Sequence, residues 1–156
     1  RFRKGHFEGV LDVMNKLTKI INPQKIFMGE KDFQQLYLVK KKLEQIYKTK
    51  VIQCKTIRDR NNVALSSRNL HLNKSNLVIA AKIYHKLAGI KKNIKNKKNI
   101  SNFLNLQKKE LKNNYKIKID YLELRNIKNL KISSTNKNSR LFIAYYLNNV
   151  RLIDNL

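Results

Sequence analysis

The fold of this chain is decided by the stretch KIFMGEKDFQQLYLVKKKLEQI, residues 25–46. It opens with a short apolar run that Gly29 stops, which is typical of a buried β-strand. Apolar residues then recur at three- and four-residue steps, the spacing of one helix face, at Leu36, Val39, Leu43 and Ile46. Asp32 stands where a helix takes its N-cap. The stretch predicts a strand, a tight turn and an amphipathic helix.

Both flanks continue this alternation. Residues 7–22 place Val10, Met14, Leu17 and Ile21 at helical spacing, and a proline follows the last turn. On the other side, residues 51–57 form a second apolar strand candidate. Helix, strand, helix and strand with short joins predict a parallel α/β sheet.

The pattern changes after about Asn69. A long amphipathic helix is predicted from Ser75 to Ile90 and a second from Ser101 to Asn113. The strand-like segments that follow are Ile117–Leu124, Arg140–Leu147 and Val150–Ile153, the first two joined by a polar loop over 126–139. Two helices followed by mainly antiparallel strands predict a small, separate α+β domain.

Composition favours a water-soluble protein of a reducing compartment. The 156 residues are 42% hydrophobic, which suffices for one core or for part of a domain with a small satellite domain. The longest apolar runs fall far short of a membrane span, so no membrane association is expected. The single cysteine, Cys54, excludes an internal disulfide and a CxxC zinc or redox pair, and favours the cytoplasm.

The net charge of +25 would ordinarily suggest a nucleic-acid partner. Most of the excess is lysine, scattered along the chain together with asparagine and isoleucine, and no aromatic platform interleaves with it. The densest run, Lys91–Lys98, is interpreted as the solvated end of a helix. We therefore expect no specific nucleic-acid partner. A steep salt dependence of binding to random duplex DNA, with appreciable residual affinity at physiological salt, would argue for the alternative, a basic nucleic-acid-binding module.

Two segments are candidates for chemistry. Gly29–Asp32 follows a predicted parallel strand and opens a helix, where α/β sheets bind ligands and where backbone amides and a lysine suit phosphate oxygens. Its plain interpretation is a turn with a capping aspartate and an exposed lysine. Leu65–Asn69 offers two hydroxyls and a guanidinium on one loop, which suits a triphosphate, although the same composition is common in ordinary loops.

Together with Arg3-Lys4-Gly5-His6-Phe7, these segments resemble the pantothenate synthetase family. The order of the motifs matches: that opening, then FMGEKDFQQL at 27–36, then LSSRN at 65–69. Residues 120–125, DYLELR, and 151–155, RLIDN, resemble the family's C-terminal domain. The resemblance implies that this chain corresponds to the C-terminal half to two-thirds of the family's chain.

The resemblance also implies a fold and two domains. The fold class is α/β: the second half of a Rossmann-like parallel-sheet nucleotidyltransferase domain, similar to class I synthetases, followed by a small α+β C-terminal domain. Residues 1–57 would belong to the ATP- and pantoate-binding domain. Residues 58–156 would form a lid domain that begins with a loop similar to the KMSKS element of class I aminoacyl-tRNA synthetases.

Site roles follow from the matching positions. The resemblance assigns ATP binding to Gly29, Glu30, Lys31, Asp32, Ile57, Leu65, Ser66, Ser67 and Arg68, and pantoate binding to Gln35. Nothing in the implied chemistry demands a protein nucleophile, so the catalytic assignments are charge stabilisers and positioners, Lys31, Ser66, Ser67 and Arg68. No protein metal ligands are expected, and Mg²⁺ would accompany ATP.

Three departures from the family pattern are visible. Lys4 stands in place of a proline, and Asn61-Asn62-Val63 in place of Asp-Gly-Leu, although asparagine tolerates a left-handed backbone. The family's His-x-Gly-His phosphate motif has no counterpart here, because none of His6, His71 and His85 lies three positions from another histidine. The last two are expected on the surface, on or near a helix.

The activity implied is ATP-dependent condensation of pantoate with beta-alanine to pantothenate through a pantoyl-adenylate, with release of AMP and pyrophosphate, in a homodimer. Because the His-x-Gly-His motif is missing, we expect the chain alone to be inactive. A different adenylyl-transferring enzyme of the same superfamily remains an alternative. It would not need Gln35 for pantoate, so a substrate screen separates the two.

Overall fold

The computed structural model describes residues 5–156, so Arg3 and Lys4 of the predicted opening motif lie outside the described residues. The chain divides into two compact units, the first ending at Thr56 and the second running from Ile57 to Leu156.

The first unit alternates helix and strand. Helix α1, His6–Ile21, leads to strand β1, Lys25–Gly29, and a 3₁₀ turn at Glu30–Asp32 leads into helix α2, Phe33–Ile46, and strand β2, Lys50–Cys54. The two strands are parallel, with Lys25 opposite Lys50 and Gly29 opposite Cys54. The carboxyl ends of both strands therefore lie at one edge of the sheet.

Helix α2 buries the face that its sequence predicts. Leu36, Val39 and Leu43 are buried, whereas Ile46, in the last turn, is exposed. Helix α1 buries less of its apolar stripe, since Leu17 is 46% exposed and Ile21 is 65% exposed.

Strand β2 is shorter than the predicted strand of residues 51–57. It ends at Cys54 because the chain then leaves the sheet: the amide of Thr56 donates to the Glu30 carboxylate over 3.4 Å. Ile57 pairs instead with Leu65 in the second unit.

The second unit is a helical layer on a three-stranded antiparallel sheet. A 3₁₀ turn at Ser67–His71 precedes helices α3, Lys74–Asn93, and α4, Ile100–Tyr115, with a further 3₁₀ turn at Ile94–Asn96. The strands, in the order β3-β4-β5, are Lys118–Asn126, Ser139–Leu147 and Val150–Asn155. The core lies between helices and sheet and contains Ile83, Leu87, Leu111, Leu124, Leu141 and Ile143. The predicted fold class, a parallel α/β part followed by a small α+β part, is confirmed.

Two details differ from the sequence-based expectation. Helix α3 begins at Lys74, one residue before the predicted start at Ser75, and Asn73 caps it, accepting a hydrogen bond from the amide of Asn76 over 2.8 Å. The run Lys91–Lys98 is not wholly solvated, because Ile94 is buried and Lys91 donates to the carbonyl oxygen of Ser139 over 2.7 Å. Burial first, then the nearby positive charges of Arg140 and Lys95, lower the pKa of Lys91.

Candidate active site

The turn Gly29–Asp32 lies at the carboxyl edge of the parallel sheet. Strand β1 ends at Gly29, and the 3₁₀ turn carries the chain directly into α2. Open α/β sheets bind ligands at this edge, outside the ends of the strands. The position supports the interpretation of this turn as a candidate ligand-binding segment. Its side chains make different contacts.

Glu30 braces the turn against the end of the neighbouring strand. Its carboxylate accepts a hydrogen bond from the side-chain amide of Gln53 over 2.5 Å and another from the amide of Thr56. Both partners belong to the segment at the end of β2. The carboxylate therefore holds the turn in place.

Gly29 leaves open space at the end of β1. Its backbone is extended, with φ −69° and ψ 133°, which any residue adopts, and a Cβ added there would meet nothing within 4 Å. Neither backbone conformation nor internal packing accounts for the glycine. A close approach of a ligand to the main chain would account for it.

The predicted N-cap role of Asp32 is wrong in part. Asp32 is the residue before α2, but its side chain makes no capping hydrogen bond. An N-cap residue typically has an extended backbone, whereas Asp32, at the end of the 3₁₀ turn, has φ −96° and ψ 52°. Its exposed carboxylate lies next to Lys31, and Gln35 follows on the first turn of α2, half-buried like Lys31.

In the second unit, Ile57 and Leu65 close a short hairpin. The amide of Leu65 donates to the carbonyl oxygen of Ile57 over 3.0 Å, and that of Asp59 to the carbonyl oxygen of Val63 over 2.9 Å. Directly opposite residues of an antiparallel pair place their side chains on one side. Ile57 is 68% exposed and Leu65 52% exposed, so the pair presents apolar surface suited to the face of a purine ring.

The turn of the hairpin is formed by the residues that depart from the family pattern, Asn61, Asn62 and Val63. Asn62 has a positive φ of 66°, a conformation that asparagine tolerates. The carboxylate of Asp59 accepts hydrogen bonds from the amides of Asn61 and Val63 over 2.8 and 2.9 Å. The substituted turn is therefore well supported by hydrogen bonds.

Ser66, Ser67 and Arg68 follow the hairpin directly. The Ser66 hydroxyl accepts a hydrogen bond from the amide of Arg68 over 3.3 Å and caps the 3₁₀ turn, and Ser67 is exposed. Arg68 donates through Nη1 to the carbonyl oxygen of Arg151 over 2.7 Å. The side chain of Asn69 donates to the carbonyl oxygen of Ala64 over 3.0 Å. The second unit thus brings Ile57 and the Leu65–Arg68 loop together.

Arg58 is a neighbour of this loop that the sequence interpretation missed. It donates two hydrogen bonds to Asp154, through Nη1 to Oδ2 over 2.7 Å and through Nη2 to Oδ1 over 2.9 Å. The two residues are 96 positions apart, so no local pattern could pair them. A lone carboxylate in the apolar strand segment Leu152–Asn155 was an available signal, because buried acids are nearly always paired.

None of the three histidines takes part in the hydrogen bonds described above. His71 and His85 are exposed, one in the 3₁₀ turn and one on α3, as predicted. His6 is the first residue of α1, with its ring centroid 5.3 Å from that of Phe7. Within residues 5–156, no group of three or more His, Cys, Asp or Glu side chains could hold a metal ion. Nor does any described helix have the length and apolar character to cross a membrane.

Comparison with known proteins decides the family. A sequence model described as pantoate-beta-alanine ligase matches residues 1–156. The chain belongs to the pantoate-beta-alanine ligase family. The resemblance noted from the motifs is thereby confirmed.

The curated relatives are longer than this chain. A pantothenate synthetase of Flavobacterium psychrophilum is 38% identical over 160 residues, a match that covers 100% of this chain and 56% of the relative. One from Francisella tularensis subsp. mediasiatica is 39% identical over 154 residues, with 98% and 51% covered. The chain spans about half the length of the curated relatives it matches.

Solved structures agree with the described fold. The pantothenate synthetase of Thermus thermophilus superposes with a TM-score of 0.88 at 29% identity, over 99% of this chain and 57% of that one. A pantoate-beta-alanine ligase from Francisella tularensis, complexed with beta-gamma ATP and beta-alanine, gives 0.74 at 35% identity over 99% and 51%.

Proposed function

We propose that this chain supplies part of the active site of an ATP-dependent ligase that joins pantoate to beta-alanine. The pantoate carboxylate attacks the α-phosphorus of ATP, the bond to the departing pyrophosphate breaks, and pantoyl-adenylate remains. The beta-alanine amine then attacks the activated carbonyl, loses a proton and expels AMP. The amide product is pantothenate.

The observation that carries the proposal is the hydrogen-bonded hairpin that presents Leu65–Arg68 beside Ile57. It combines apolar surface, two hydroxyls and one guanidinium within a single short segment. Apolar surface suits an adenine ring, and hydroxyl and guanidinium donors suit phosphate oxygens. The names of the relatives support the same activity, and the Francisella tularensis ligase was obtained with beta-gamma ATP and beta-alanine.

The roles are positional and electrostatic. Lys31, Ser66, Ser67 and Arg68 stabilise the negative charge that moves from the α-phosphate region to pyrophosphate in the first step. The backbone of Gly29–Asp32 lies beside the triphosphate, and Ile57 contacts the adenine. Carbonyl attack by a free amine needs no protein nucleophile, so positioning suffices for the second step.

Pantoate binding is assigned to Gln35. A side-chain amide offers two donors and an acceptor, which match a carboxylate and a hydroxyl on one small acid. Mg²⁺ is proposed to enter with the triphosphate, because this ion keeps waters and binds phosphates more readily than all-protein sites. A homodimer in the cytoplasm completes the proposal; the single cysteine, Cys54, is a free thiol, which suits a reducing compartment.

Backbone NMR of the ¹⁵N-labelled chain titrated with MgATP at physiological salt tests the nucleotide site. We expect the largest shifts at the amides of Gly29–Asp32 and Ser66–Arg68. Lys31→Ala and Arg68→Ala should weaken binding, whereas Lys19→Ala, which removes an exposed charge from the last turn of α1, should not. Salt screens non-specific attraction to a chain of charge +25. Shifts spread over the lysines of α4, with equal losses in all three variants, would contradict the proposal.

A further inference from the structure

Arg58 links three elements of the second unit. Its guanidinium makes a bidentate ion pair with Asp154 on β5 and lies 4.5 Å from the ring centroid of Tyr84 on α3. It also donates to the carbonyl oxygen of Asn62 over 3.1 Å, at the tip of the hairpin. One side chain therefore joins the loop to both the sheet and the helical layer.

The pair is protected from solvent. The Arg58 side chain is 18% exposed and that of Asp154 is 9% exposed. Each carboxylate oxygen accepts from the guanidinium, and Oδ1 also accepts from the amide of Asn155 over 2.7 Å. A planar guanidinium fits this two-point geometry, which a lysine ammonium cannot reproduce. Removal of either partner would leave the other with an unpaired charge that is largely shielded from solvent, which is destabilising.

The loop is held on β5 at both ends. Arg58, at its start, binds Asp154, and Arg68, at its end, binds the carbonyl oxygen of Arg151. Arg151 is itself fixed by an ion pair of its Nε with Asp120 over 2.8 Å. The two attachments differ in kind: the first joins two opposite charges, and the second joins a cation to a neutral carbonyl.

We propose that Arg58 and Asp154 are positioning residues that fix the hairpin stem, so that Ser66, Ser67 and Arg68 are presented to the phosphates of ATP from a rigid base. The pair does not touch the nucleotide. The inference rests on the proposed function for the identity of the ligand. The tether itself, by which we mean the Arg58–Asp154 ion pair that holds the hairpin stem on β5, is a property of the chain alone. Arg68 can leave the Arg151 carbonyl for a phosphate while the stem stays fixed.

Hydrogen exchange measures the tether directly. The amides of Asp59, Val63 and Leu65 bond within the stem, and they should exchange at least roughly tenfold faster in Asp154→Asn than in the wild type, because local opening becomes easier. Amides in the middle of α3 should be unchanged. The matched control is Glu110→Gln, which breaks the Lys86–Glu110 ion pair between α3 and α4 without touching the loop. Unchanged exchange at the stem of Asp154→Asn would overturn the inference.

A graded series separates positioning from general stability. Arg58→Met removes the charge and the hydrogen bonds to Asp154 and to the Asn62 carbonyl oxygen, whereas Arg58→Lys restores the charge, so stem protection and MgATP affinity should recover partly in the lysine variant. The comparison is made at a temperature where every variant is folded. We expect the dissociation constant for MgATP to rise roughly ten- to hundredfold in Arg58→Met, because phosphate-binding groups that are misplaced by about 1 Å lose much of their contact with the ligand. Equal affinities of Arg58→Met and wild type would also overturn the inference.

The two proposals fail in different ways. If the stem loosens in Asp154→Asn but the wild-type chain shows no site-specific MgATP binding, the tether is supported and the proposed function is refuted. If MgATP binds at Ser66–Arg68 and the stem exchanges equally in Asp154→Asn and wild type, the function is supported and the tether is refuted.

Discussion

The guanidinium of Arg68 is bound to the backbone carbonyl oxygen of Arg151, with Nη1 and the oxygen 2.7 Å apart. A neutral carbonyl is a weaker acceptor for a guanidinium than an ionised phosphate, to which arginine bonds with two parallel donors. The contact therefore holds Arg68 in a defined place while leaving it able to exchange its partner. This property suits a residue that meets charge only when a nucleotide is bound.

Lys31→Ala and Arg68→Ala should slow adenylation far more than aminolysis. Loss of one donor aimed at transition-state charge costs on the order of a hundred- to a thousandfold in rate, and that charge develops only while pyrophosphate departs. The measurement is rapid quench of each half-reaction. It uses a protein in which this chain is joined to the part of a curated relative that it does not match. Preformed pantoyl-adenylate should react with beta-alanine at nearly the normal rate. Equal slowing of both steps would mean that these residues only hold the site together.

Gln35→Ala should weaken pantoate binding more than ATP binding. The variant leaves hydrogen-bonding groups of the bound pantoate without their partner on Gln35, which costs about 1–3 kcal/mol of binding free energy. ATP makes no such bond to Gln35 and should lose nothing. Titration calorimetry with each substrate gives the two affinities. Gln45→Ala, on the exposed end of the same helix, is the control and should change neither. Similar losses for both substrates in Gln35→Ala would argue for another role.

The 156-residue chain by itself should not form pantothenate at a useful rate. It spans about half the length of the relatives it matches, and its histidines form no His-x-Gly-His motif. Coupled detection of AMP and pantothenate from pantoate, beta-alanine and ATP provides the measurement. Adding the unmatched part of the Flavobacterium psychrophilum relative, by co-expression, is expected to raise the rate. Near-normal turnover by the chain alone would contradict the prediction.

Much of the fold was predictable because hydrophobic period is local. Leu36, Val39 and Leu43 stand at helical spacing and are all buried on one face of α2. Errors occurred where local competition decides an end: Asn73 caps α3 although Ser75 is also a capping residue, and the Ser75 hydroxyl donates to the Asn73 side chain instead. Two capping residues so close together cannot be ranked by propensity alone.

The candidate site was predictable only in its contiguous parts. Gly29–Asp32 and Leu65–Arg68 are single segments, and both were proposed from their sequence and family likeness. The pairing of Arg58 with Asp154 depends on how β5 packs beside the hairpin, a relation between distant residues that no spacing records. Likewise, Glu30 has a carboxylate of the kind that binds ligands, but this carboxylate accepts hydrogen bonds from Gln53 and Thr56. Only the fold reveals these contacts.

Compared with the wild type, the Tyr145→Phe variant should gain stability as the pH changes from neutral to alkaline. The reason is that the wild type loses stability at alkaline pH. Burial first, and then the negative charge of Asp154, raise the pKa of Tyr145 above its ordinary value of 10.0. A folded-state pKa above the unfolded value means that the folded protein holds the phenolic proton longer. The associated stability is fully present below the unfolded pKa of about 10 and is lost as the pH rises from there through the folded pKa.

Phenylalanine has no proton to lose, so the difference in unfolding free energy between Tyr145→Phe and wild type should shift in favour of the variant by about 1.4 kcal/mol per pH unit above 10. Urea unfolding at pH 8, 10 and 11 measures it; the lysines titrate alike in both proteins and cancel in the difference. A constant difference between Tyr145→Phe and wild type from pH 8 to 11 would show that the Tyr145 phenol ionises as easily in the folded chain as in the unfolded one.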